Sequence, residues 1–149
     1  MPVRGIRGAT TASANTREAI LEATRELLSE MIRANDLREP DIASVYFTVT
    51  PDLDAAFPAR AARDLGWTTT ALLDAQAPRV ANDLAHCIRV LIHWNTDKSM
   101  DDIQHIYLRD ARALRPDLSF RAKREISDSE GEISRRQKSS PRNDMRGNR

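Results

Sequence analysis

The chain has 149 residues, 40% of them hydrophobic, which suits one domain with one modest core. Its single cysteine, Cys87, excludes an internal disulfide, and His86, His93 and His105 show no metal-ligand spacing, so no metal or other cofactor is expected. No apolar run reaches the length of a signal peptide core or a membrane span, which gives the expectation of a cytoplasmic protein with no membrane partner. The net charge of +1 divides unevenly: nine Lys+Arg and five Asp+Glu fall in residues 121–149, giving that tail +4 and the body, 1–120, −3.

Residues 2–12 are short, Gly-punctuated and compatible with a strand that points Val3, Gly5, Arg7 and Ala9 one way and Arg4, Ile6 and Gly8 the other. Asn15 followed by Glu18 resembles a capping box, and Ile20, Leu21, Thr24, Leu27, Leu28, Met31 and Ile32 recur at helical spacing, predicting a helix over Thr16 to Ala34. Its apolar stripe needs a surface, which the β-rich run Ser44 to Thr50 supplies before Pro51 ends the ladder. Pro58 opens a short helix, PARAARDL, that Gly66 terminates, and Arg60 and Arg63 share its face.

Trp67 to Leu73 reads as a third strand and Pro78 to Asp83 as an irregular loop. The fourth strand, HCIRVLIHWN, alternates Cys87, Arg89, Leu91 and His93 against Ile88, Val90, Ile92 and Trp94. Residues 103–114 fit both periods, since Tyr107, Arg109 and Ala111 alternate while Ile103, Tyr107, Ala111 and Leu114 keep helical spacing. The tail after Phe120 offers Ala122, Ile126, Ile133 and Met145 as its only apolar side chains, too few to offset the entropy of ordering it, so disorder is expected there.

An arginine inside an apolar strand is costly to bury unpaired. Arg89 therefore reaches solvent, pairs with a carboxylate, or receives an anionic ligand. Arg7, Arg60, Arg63 and Arg115 also stand at strand, helix or segment ends, and the guanidinium fork suits bidentate carboxylate binding. Composition alone does not bring these cations together.

The segments VRGIRGATT (3–11), FTVTPDLDAAFPARAARDLGW (47–67), CIRVLIHWNTD (87–97) and HIYLRDARALRPDL (105–118), in this order and at these separations, resemble the small trimeric Bacillus-type monofunctional chorismate mutases. The resemblance implies an α+β fold: a mixed five-stranded sheet with helices on one face, assembled as a homotrimer with a pseudo-α/β-barrel core and active sites between subunits. It also implies a strand through Tyr107 and an isomerase of aromatic amino-acid biosynthesis that converts chorismate to prephenate.

By position, the resemblance puts Arg89 beside the substrate's ether oxygen, Arg7 on a substrate carboxylate, and Tyr107 in a hydrogen bond to that carboxylate. Phe57, Arg60, Arg63 and Leu73 are contributed by the neighbouring subunit, and Arg115 closes the cleft. The plain alternatives are that Phe57 caps the second helix, Tyr107 is a core tyrosine and Arg60 is solvated. The rearrangement is pericyclic and needs neither nucleophile nor proton transfer, so the protein's part is to hold the compact dianion and stabilise developing charge.

One departure stands out. Where the family carries Cys-x-x-Glu after its third strand, this chain has Asp74-Ala75-Gln76-Ala77, with Ala77 at the glutamate position. Asp74 is expected to replace that carboxylate, accepting the substrate hydroxyl and pairing with Arg89 or Arg7 in a shared cleft. The rival expectations are a non-catalytic trimeric binder of dicarboxylates and a tail that binds nucleic acid; the tail's basic end lacks interleaved aromatics, so no nucleic-acid partner is expected.

Overall fold

The alternating run Val3–Thr11 forms β1, and Cys87–Asn95 forms β4, paired antiparallel along their whole length. Ile42–Val49 is β2, antiparallel to β4 on its other side, and Ala71–Gln76 is β3, parallel to β2. A two-residue β5, Ile106–Tyr107, runs parallel to β1 and completes a mixed sheet in the order β3-β2-β4-β1-β5. The computed structural model describes residues 1–117. The boundary expected at 120 and the tail expected over 121–149 lie outside them. The chain divides after Arg115, and this sheet belongs to the unit Met1–Arg115.

Helix α1, Arg17–Asn35, covers one face of the sheet. From its buried stripe Leu27, Leu28 and Met31 pack with Ile6, Val45, Phe47, Val90 and Ile92, while Ile20 packs with Leu53 and Ile88. Gly8 leaves room for the helix: a Cβ there would stand 2.5 Å from Met31 Sδ, so the Met31 side chain would have to shift. The N-terminal cap differs from the expected capping box. Thr16 is the cap, accepting the Ala19 N–H at 3.2 Å, while Asn15 is taken up by Asp54 and the Ala55 amide. Asn35, fully buried at the other end, holds both the N–H and the carbonyl of Gln104 and so fixes the approach to β5.

Helix α2, Ala59–Asp64, follows Pro58 and ends at Gly66, whose φ of 98° is the left-handed turn that the sequence predicts. The third strand lies further along than Trp67 to Leu73. Trp67 is buried in the core, and Glu39 clamps Thr69 and Thr70 through one amide and two hydroxyls, so β3 starts at Ala71. The ambiguous segment 103–114 is resolved as the short β5 followed by a 3-10 helix, Arg109–Leu114, placing Tyr107 on a strand. No helix among the described residues is long and apolar enough to cross a membrane.

Candidate active site

The sheet face away from α1 carries the cations. In β4 the alternation sends Ile88, Val90, Ile92 and Trp94 into the core and sets Cys87, Arg89, Leu91 and His93 on the other face. Strand register then decides who stands beside whom. Thr48, Arg89, Ala9 and Tyr107 form one row across β2, β4, β1 and β5, and Tyr46, Leu91 and Arg7 form the next. Ala9 is the small residue between Arg89 and Tyr107. The two rows and the end of β3 enclose a cavity of about 420 Å³ lined by Arg7, Tyr46, Thr48, Gln76, Ala77, Arg89, Leu91 and Tyr107, a size that suits a small-molecule ligand. No carboxylate among the described residues lines it.

The surroundings set the charges. The Arg7 N–H donates to His105 Nδ1 at 3.0 Å, which requires that nitrogen to be unprotonated. Burial, reinforced by the Arg7 and Arg115 charges, depresses the His105 pKa. Arg89 Nη2 lies 3.6 Å from Asp83 Oδ1, a pair that no motif in the sequence points to because Asp83 sits in the loop before β4. Cys87 is buried, as core packing implies, and that burial pushes its thiol pKa up against the Arg89 charge. Among the described residues no cluster of His, Cys, Asp or Glu could hold a metal ion.

A second cavity, about 510 Å³, lies on the α2 side and includes Arg17, Asp54, Phe57, Pro58 and Asp74 in its lining. Phe57 is 72% exposed. Arg60 is tied to Asp64 at 3.1 Å, and Arg63 acts on Asp74. Leu73 stands on the open face opposite Tyr46 and is exposed, outside the first cavity.

Residues 3–118 match the family model for chorismate mutase type I. The chain belongs to that family. It is 52% identical over 117 residues to chorismate mutase AroH of Thermus thermophilus, covering 78% of this chain and 96% of that protein. It is 42% identical over 127 residues to chorismate mutase AroH of Bacillus subtilis (strain 168), covering 85% of this chain and all of that protein. The solved chorismate mutase of Clostridium thermocellum superposes with a TM-score of 0.73 at 54% identity, covering 74% of this chain and 98% of that one.

In this chorismate mutase Asp74 stands apart from Arg7 and Arg89 within one chain. Opposite Phe47 in the register, Asp74 points to the helix side, where its carboxylate accepts the Ala59 N–H at 2.9 Å at the start of α2. Burial raises its pKa, opposed by that hydrogen bond and by Arg63. Asp74 and Ala77 line different cavities, because three steps along an extended strand and its exit reverse the facing. Within the chain Asp74 therefore does not share a cleft with Arg7 and Arg89.

Proposed function

We propose that the chain converts chorismate to prephenate in the cavity over Arg89. The observation that carries this reading is the meeting of Arg7, Arg89 and Tyr107, from three strands, in one cavity that no carboxylate lines among the described residues. Two guanidinium groups and a phenol match a dianion, and the chemistry asks for nothing more reactive. Arg7 and Tyr107 hold a carboxylate and so favour the compact conformer. Arg89 stands ready for the charge that grows on the ether oxygen as the C–O bond breaks ahead of C–C formation, a role worth roughly 3 kcal/mol in the manner of an oxyanion donor.

The working unit in this reading is a homotrimer. Phe57, Arg60, Arg63 and Leu73 lie outside the cavity of their own chain and complete that of the neighbouring subunit, with Arg115 at its mouth. Support comes from the exposed apolar side chains Val3, Tyr46, Phe57 and Leu73, which an isolated chain would leave in water. Asp74 serves by fixing the start of α2, and with it Arg60 and Arg63. Incubating the full-length chain with chorismate and following prephenate tests the reading. Catalysed prephenate formation is expected; binding without turnover would leave the non-catalytic dicarboxylate binder in its place.

A further inference from the structure

Asp83 lies in the loop between β3 and β4, outside every motif that carries the family resemblance. Its Oδ1 is 3.6 Å from Arg89 Nη2, and its side chain is the more buried of the two, 21% exposed against 41%. Among the described residues no other carboxylate forms an ion pair with Arg89. Asp83 is itself held in place. Its carboxylate accepts the Leu84 N–H at 2.8 Å, its own N–H donates to the Val80 carbonyl at 3.2 Å, and Asn82 before it turns the chain with a φ of 64°. It borders the cavity next to that of Arg89, with Pro78 common to both. The other acid of that neighbouring cavity, Asp52, is already engaged by Thr50 and the His86 amide.

We propose that Asp83 is the positioning residue for Arg89, acting from the side of the guanidinium that faces away from the ligand. The inference rests on the proposed chorismate mutase reading of the cavity and names the group that makes its cation usable. An arginine stem has many rotamers, and a carboxylate anchored on a short turn selects the one that keeps the fork at the cavity. The same negative charge works against a bound dianion, since it lies beside the cation that attracts it. Orientation helps the transition state while repulsion weakens ground-state binding, so the two effects separate in measurement.

The test compares the full-length wild type with Asp83→Asn, whose amide oxygen still accepts the Leu84 N–H, and with Asp83→Glu, which keeps the charge. Prephenate formation gives kcat, calorimetry gives the affinity for added prephenate, and thermal unfolding gives Tm. Asp83→Asn should lower kcat by about tenfold through lost orientation. It should bind prephenate about threefold more tightly through lost repulsion, with Tm unchanged. Asp83→Glu should bind prephenate as the wild type does. Any other pattern for Asp83→Asn, including a fall of kcat and affinity together with Tm, overturns the proposal. A wild type that binds prephenate but makes none from chorismate removes the catalytic reading alone, and the affinity comparison still decides Asp83. A wild type that does not bind prephenate removes both.

Discussion

Arg7 reaches its place through a histidine that must stay neutral. His105 accepts the Arg7 amide through Nδ1, and burial together with the Arg7 and Arg115 charges holds its pKa below 6.5 in the folded chain. In the window between the folded value and 6.5 the unfolded chain binds the extra proton. The stabilisation from neutral His105 is therefore fully present above 6.5 and is lost as pH falls through the folded value. Chemical denaturation of the wild type and His105→Gln should show a wild-type advantage at about pH 7.5 that shrinks below about pH 6. An advantage that grows on acidification would reverse the assigned sign.

At the scale of elements, α1 and the strands β1 and β4 are legible because their periods are undisturbed: Ile20, Leu21, Leu27, Leu28, Met31 and Ile32 recur at helical spacing on α1, and Arg89 keeps the two-residue alternation of β4. What local patterns do not carry is set by partners far away in sequence. Thr68 to Thr70 have the β-branched look of a strand, yet Glu39 holds Thr69 and Thr70 outside the ladder. Asn15 has the look of a cap, yet Asp54 claims it. The row Thr48–Arg89–Ala9–Tyr107 exists only through register, which explains why residue chemistry suggested an anion site without locating it. The facing of Asp74 is hidden in the sequence for the same reason, since it depends on pairing with Phe47. Packing gives the sharpest prediction at this scale. Gly8→Ala puts a methyl against Met31 and Leu27 and should cost about 1–3 kcal/mol in denaturant unfolding. Unchanged stability would mean that α1 lies further from β1 than described.

For the molecule as a whole, one chain presents an arginine cavity on one side of β3 and, on the other, the Phe57 and Asp74 surface, with α2 carrying Arg60 and Arg63. The proposed trimer would join the two surfaces, and sedimentation should then return a mass near three chains; a stable monomer with full turnover would separate the activity from assembly. The α+β sheet and the family follow from ordered motifs, whereas Asp83, the ion-pair partner of Arg89, follows only from the folded loop. In the proposed reaction Arg89 is the cation that meets the developing charge. Replacing it with citrulline, which keeps the shape and removes the charge, should lower kcat for prephenate formation by about a hundredfold while changing KM far less; turnover equal to that of the wild type would contradict the account.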